Sequence, residues 1–128
     1  MRLWHQSIIS KLPRQQLLGQ HRECCALRGK GWGKRHSVVN YVFEHSMDTL
    51  EDYHSLVMEE MVRRGYKPNP FWWFRGYRGK HLGELVMFGI RRTEVIVPRK
   101  DRIYFEHNNS YLNECIKNLQ GKGIFITV

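Results

Sequence analysis

The stretch Asp48-Thr49-Leu50-Glu51-Asp52-Tyr53-His54-Ser55-Leu56-Val57-Met58-Glu59-Glu60-Met61-Val62-Arg63-Arg64-Gly65 decides the fold class. Leu50, Tyr53, His54, Val57, Met58, Met61 and Val62 recur at intervals of three and four, which lines one side of a helix with apolar groups. Asp48 or Thr49 can cap its start. Glu51 and Asp52 suit the positive end of the helix dipole, and Gly65 ends the element. His54 lies on the apolar stripe and reads as a core histidine with satisfied nitrogens rather than as a ligand.

Upstream, the spacing predicts a helix over residues 13–28. Pro13 suits its first turn, Gly29 its exit, and Leu17, Leu18, His21, Cys24, Cys25 and Arg28 follow the helical interval. Glu23 falls on another face, with Gly19 four residues before it and Ala26 three after. Two such small neighbours leave room for a second backbone to approach the carboxylate. Residues 29–35 (GKGWGKR) read as a loop of exposed amides and cations able to cradle phosphate, though without Walker spacing.

Downstream, a third helix is predicted from about 109 to 119, with Tyr111, Leu112, Cys115, Ile116 and Leu119 inward and Gly121 after it. Residues 94–97 and 102–105 flank Pro98-Arg99-Lys100-Asp101, a pattern that allows a short β-hairpin. The expected architecture is therefore mainly α. Residues 1–128 form one compact domain of three principal helices with irregular connections and room for that hairpin.

Composition excludes several classes. Hydrophobic residues make up 41% of the 128, with 12% aromatic, which rules out a disordered tail. The longest apolar runs, 85–88 and 95–97, are far short of the ~20 residues a bilayer span needs. The opening residues lack the apolar core of a signal peptide. Three cysteines, two of them adjacent, make no even disulfide framework and point to a reduced, cytoplasmic protein, expected to be monomeric.

Charge points to the partner. Lys and Arg number 21 against 12 acidic residues, a net +9 with a pI near 9.8. Residues 1–43 hold eight of the cations and one acid, Glu23, so +7 is concentrated in a third of the chain. A domain charged this way meets a polyanion, with nucleic acid the first candidate. The lone carboxylate should be held ionised by the cations around it.

The stretch 71–80 interleaves rings with cations, which suits base stacking beside phosphate neutralisation. The competing account is core aromatics beside a basic turn. His21, Cys24 and Cys25 lie within reach of one ion on a helix. Structural zinc sites pair two ligand groups, however, and only Cys115 offers itself as a partner, so no metal or cofactor is expected.

The string Gln15-Gln16-Leu17-Leu18-Gly19-Gln20-His21-Arg22-Glu23 resembles the first helix of the pyrimidine-dimer DNA glycosylases, the family of phage endonuclease V. Met1-Arg2-Leu3-Trp4 is similar to the amino-terminal segment of its bacterial members, and residues 50–66 are similar to its second helix and exit. The resemblance runs in register over residues 1–66 and more loosely over 109–119. Residues 67–108 match nothing that can be aligned.

The resemblance implies a bifunctional glycosylase and abasic-site lyase acting on damaged double-stranded DNA. In that family the free α-amine attacks C1′ of the damaged nucleotide beside the helix glutamate. Carried over, the nucleophile is the α-amine of Met1 and the acid/base is Glu23, with Arg2 and Arg22 in phosphate and orienting roles. Elementary chemistry favours that nucleophile. At pH 7 roughly 10–20% of an α-amine is neutral, against about 0.04% of a lysine. The bulk of Arg2 should protect Met1 from removal.

The expected DNA-contacting set is Arg2, Gln15, Gln16, Arg22, Arg28, Lys30, Lys34 and Arg35, with Trp72, Trp73, Arg75, Arg78 and Lys80 from the aromatic stretch. Three features depart from the family. Gln16 stands where the phage enzyme has histidine, and Ala26 where it has arginine. The chain ends in Gly121-Lys122-Gly123-Ile124-Phe125-Ile126-Thr127-Val128 in place of a Trp/Tyr/Lys-rich tail.

Two other classes fit the charge: a basic nucleic-acid-binding protein of this fold without catalysis, and an interaction module in which +9 serves solubility. Steep salt dependence without a borohydride-trapped adduct marks the first. Weak DNA binding at physiological salt marks the second.

Overall fold

The computed structural model describes residues 2–35, 39–79 and 94–127. It is mainly helical: α1 (Arg14–Arg28), α2 (Met47–Arg63) and α3 (Asn109–Gly121) are joined through short 3-10 turns at Gln6–Lys11, Asn40–Glu44 and Pro70–Trp73. No described helix is long and apolar enough to cross a membrane. Met1 and Lys80 lie outside the described residues.

Local chemistry sets the ends of each element. Pro13 sits at the N-cap of α1, where its missing N–H costs nothing. Beyond Arg28 the chain folds back so tightly that a side chain at Gly31 would place its Cβ 2.8 Å from the Ala26 carbonyl. Only glycine fits there.

Helix α2 begins at Met47, slightly earlier than its spacing implied, with Ser46 before it. It ends in paired bonds from Gly65 N to Val62 O (3.0 Å) and from Tyr66 N to Met61 O (2.9 Å). The φ of +93° at Gly65 makes that closure possible. Asn108 caps α3 by accepting from Tyr111 N at 2.9 Å.

Helices α1 and α2 pack on each other and, with Leu3, Ile8, Leu12 and Tyr104, enclose the core around Leu17, Leu50, Tyr53 and Val57. Burying each such aliphatic side chain is worth about 1.5–3 kcal/mol. Cys115 and Leu119 bring α3 to the same core, while Tyr111, Leu112 and Ile116 are half-buried. Val62 departs from its stripe and is 54% exposed. On α1, Gln20 is buried where Leu18 was expected, and Leu18 lies at the core's edge.

The hairpin is corrected. Among the described residues, 94–97 and 102–105 do not pair with each other; Val95 bridges Phe74 instead. Arg75 N donates to Glu94 O at 2.9 Å and Ile96 N to Trp73 O at 2.7 Å. Residues 94–96 thus satisfy their backbone on the aromatic stretch. Ile96 is 1% exposed, an apolar anchor that the hairpin pattern did not place.

Candidate active site

The chain enters the fold through residues 2–4, whose backbone is held by side chains from the three described α-helices. The Arg2 N–H donates to Glu23 Oε2 at 3.3 Å. Gln20, one turn before Glu23 on α1, donates from Nε2 to Arg2 O at 2.9 Å and to Glu23 Oε2 at 3.2 Å. Its Oε1 accepts from Trp4 N at 2.6 Å.

The Tyr53 hydroxyl of α2 faces both Trp4 O and Gln20 Oε1, and the Tyr111 hydroxyl of α3 donates to Leu3 O. Burial pushes the Tyr111 phenol up to about 12, so it keeps the proton it donates. Leu3 and Trp4 are buried, and Lys122 lies over the Trp4 ring at 5.2 Å. The Arg2 guanidinium sits 5.8 Å above the Tyr111 ring.

Glu23 is half-exposed on a face of α1 that also carries Gln15, Gln16, Gly19, Arg22 and Ala26. Gln15, Arg22 and Ala26 are open to solvent, and the low relief at Gly19 and Ala26 leaves the carboxylate approachable. Lys30, Lys34 and Arg35 are exposed on the loop beyond α1.

Arg28 does not belong to this face. Its side chain is fully buried, and it donates to His54 Nδ1 (3.0 Å) and to the carbonyls of Trp72 (2.8 Å), Phe74 (3.1 Å) and Tyr77 (3.1 Å). Glu51, also fully buried, lies 3.8 Å away and supplies the counter-charge. Phosphate has no path to this guanidinium, so Arg28 leaves the DNA-contacting set.

Arg75 leaves it for the same reason. Its side chain is 14% exposed and is paired with Asp52 and with Glu51 at 3.3 Å. Arg78 spends its donors on Arg28 O (2.8 Å) and Gly29 O (2.9 Å), capping the C-terminus of α1 with a cation. The Trp72 ring lies over Arg28 (5.0 Å) and edge-on to Tyr77 (4.8 Å). Within 71–80, Arg75 and Arg78 are committed to protein partners, whereas Trp72 is half-buried and stands outside the buried core. Trp73 is half-buried and Phe71 is 56% exposed.

His54 is buried as its stripe implies, and it meets His21 and Cys25 of α1. The ligand atoms of these three groups lie within 4.8 Å of one another, close enough to hold an ion. Cys24, by contrast, faces the core. Hydrogen-bond direction opposes an ion among them. Arginine only donates, so His54 Nδ1 accepts from Arg28 and the ring's proton sits on Nε2, 2.8 Å from His21 Nδ1. A metal on His54 Nε2 would displace that proton and set a second cation beside Arg28. Metal-bound histidines instead donate their other nitrogen to an acceptor. Burial pushes the Cys25 thiol up to about 11 in the metal-free protein. The cluster is a directed chain of hydrogen bonds from Arg28 through His54 to His21.

A cavity of about 450 Å³ lies between the Gln6–Lys11 turn and α2, walled by His5, Ile9, Leu56, Glu59 and Arg102 among others. Glu23 is not on its wall. The carboxylate, the entry segment held to it and exposed Arg22 lie instead on the outer side of α1.

Gln20, Tyr53 and Tyr111 hold the entry segment, yet Tyr53 and Tyr111 read in the sequence as members of helical stripes, and Gln20 stands in the string 15–23 with no role assigned to it. The one available signal was a polar residue at position 20, on the same side of α1 as Leu17, Cys24 and Leu27.

No curated protein and no solved structure is similar enough to this chain to count as a match. A family model does match, that of the pyrimidine dimer DNA glycosylases, over residues 1–74. That span holds the entry segment, Glu23, Gln20, Tyr53 and the exposed face of α1, and it is more than half of the 128 residues. The chain belongs to the pyrimidine dimer DNA glycosylase family, a family of DNA repair glycosylases.

Proposed function

We propose that this protein is a DNA glycosylase with abasic-site lyase activity, in which the α-amine of Met1 is the nucleophile and Glu23 the acid/base. The observation that carries the reading is the bond from Arg2 N–H to Glu23 Oε2 at 3.3 Å. Covalent geometry keeps the nitrogen of one residue within about 3.7 Å of the next. Met1 directly precedes Arg2, so the proposed nucleophile is one residue in sequence from the nitrogen that meets the carboxylate.

The amine lone pair forms a bond to C1′ as the glycosidic bond breaks, and the glycosidic bond's electron pair goes to the base nitrogen, which takes up a proton. Opening of the sugar ring, with a proton to O4′, leaves an imine between C1′ and the amine. Removal of a C2′ proton by Glu23 then expels the 3′ phosphate oxygen with its electron pair, and water hydrolyses the imine. The cations nearest the amine favour its neutral, attacking form.

Arg2, Gln15, Gln16, Arg22, Lys30, Lys34 and Arg35 supply the sequence-independent grip on double-stranded DNA, with Trp73 at the margin. A damaged pyrimidine pair stacks poorly, so exposing its C1′ costs less than for intact DNA. A monomer in the cytoplasm fits this reading, and the three free cysteines agree with a reducing compartment.

The test is borohydride trapping with an abasic duplex and a dimer-containing duplex, followed by peptide mapping. A covalent adduct on Met1 is expected. An adduct on a lysine would overturn the nucleophile, and tight salt-dependent binding with no adduct would identify a DNA holder without catalysis.

A further inference from the structure

We infer that Gln20 is a positioning residue for the amine chemistry: its one carboxamide fixes the chain's entry and the Glu23 carboxylate in a set mutual geometry. The inference rests on the imine reading above. It concerns a residue that does not touch the reacting atoms but sets where they stand.

The carboxamide is saturated. Its two N–H groups go to Arg2 O (2.9 Å) and Glu23 Oε2 (3.2 Å), while its oxygen receives Trp4 N–H (2.6 Å) and faces the Tyr53 hydroxyl (2.9 Å). Turning the group by 180° would set its oxygen against the carboxylate and its N–H groups against the Trp4 amide. Two repulsions would replace two bonds, so the network allows one orientation.

Gln20 is 1% exposed, on the side of α1 that otherwise carries Leu17, Cys24 and Leu27. An apolar side chain would serve packing there, because a buried carboxamide is costly unless every bond is made. What the carboxamide adds is a link. Arg2 N–H and Gln20 N–H converge on the same oxygen of Glu23, and Gln20 also holds Arg2 and Trp4. The entry segment and the carboxylate therefore cannot separate without breaking bonds to position 20.

Q20E keeps the shape and reverses the chemistry, since an ionised carboxylate presents only acceptors to Arg2 O and Glu23. The other ionisable groups near this position are Glu23 on α1, Arg2 in the entry segment and Tyr53 on α2. Burial holds the Tyr53 phenol well above its usual range, so it stays protonated. As the pH falls, a proton held between the new carboxyl and the neighbouring carboxylate restores a donor between them.

The experiment measures single-turnover borohydride trapping on abasic duplex for wild type, Q20E, Q20M and Y53F at several pH values. DNA affinity and thermal unfolding of the same samples are recorded alongside. Displacing the reacting groups by about 1 Å costs on the order of 100-fold in rate. Q20E at pH 8 is expected to fall by that order, and its rate relative to wild type should recover about tenfold or more by pH 5.5. Q20M should fall by a similar factor without recovery. DNA affinity should stay within about twofold throughout.

Y53F, which removes one hydroxyl, should slow trapping several-fold and remains decisive if neither variant at position 20 folds. Folded Q20M, or folded Y53F, trapping at the wild-type rate would overturn the role of the carboxamide. If wild type itself traps no adduct, the imine reading fails first, and the two failures are told apart by that control.

Discussion

The hydroxyl of Tyr111 donates to the carbonyl of Leu3, so the last helix of the fold holds its first residues. The same ring stacks on His107 at 5.0 Å and lies beneath the Arg2 guanidinium at 5.8 Å. A segment 108 positions away in sequence thus takes part in fixing the approach to Glu23.

Tyr111→Phe keeps the ring and both of its stacking partners but leaves Leu3 O without its donor. Stability should fall by about 1–2 kcal/mol, read by urea unfolding. Trapping on abasic DNA should slow several-fold while DNA affinity is unchanged.

In the proposed reaction Glu23 takes the C2′ proton, so Glu23→Gln, which keeps the volume, should slow strand cleavage at an abasic site by about 100-fold or more, with binding by fluorescence anisotropy retained. Full activity in this variant would make the helix carboxylate structural.

Arg28→Met separates the two uses of arginine in this chain. The substitution removes one of the two arginines beside buried Glu51, leaving Arg75, and deprives three carbonyls of their donor. It should cost about 3–5 kcal/mol in denaturant unfolding, with no change in the salt dependence of DNA binding for the folded protein. Removing the exposed Lys34 or Arg35 should do the reverse. Stability should be kept, and the slope of log affinity against log salt should fall by about one for each lost phosphate contact.

Acid should destabilise the fold through its buried histidines. Burial pulls His107 from 6.5 down to about 3. It also lowers His21 and holds His54 well below the usual range. The unfolded chain binds these protons first. Stability is therefore full above pH 6.5 and declines as the pH falls towards 3, by up to about 1.4 kcal/mol per pH unit for each histidine. Urea unfolding from pH 7.5 to 4 measures the slope, and His107→Gln should make it shallower.

Much of the architecture was legible because helices announce themselves in spacing. The stripe through Leu50, Tyr53 and Val57 located α2, and Gly19 and Ala26 marked the approachable side of Glu23. Arg28 shows where two signals conflicted. Its interval with His21 and Cys24 pointed inward, its charge pointed outward, and the structure follows the interval. Its partners are Glu51 and the carbonyls of Trp72, Phe74 and Tyr77, which local sequence does not display.

The hairpin failed for a related reason. Residues 94–97 hold three β-branched side chains in a row, as a strand does, but the choice of partner is a long-range matter decided by the backbone at Phe74. Gln20 was quoted within a motif and passed over, since a lone glutamine has no chemistry of its own until its neighbours in space are known.

The guanidinium enclosed by the carbonyls of Trp72, Phe74 and Tyr77 has a mechanical consequence. Those backbone oxygens have no comparable cation until α1 has docked against α2, so the aromatic turn is the dependent partner and should set last during folding. Once set, it is riveted to the helix that bears Glu23. Any shift of that helix on its cargo must drag the aromatic turn along as one rigid piece.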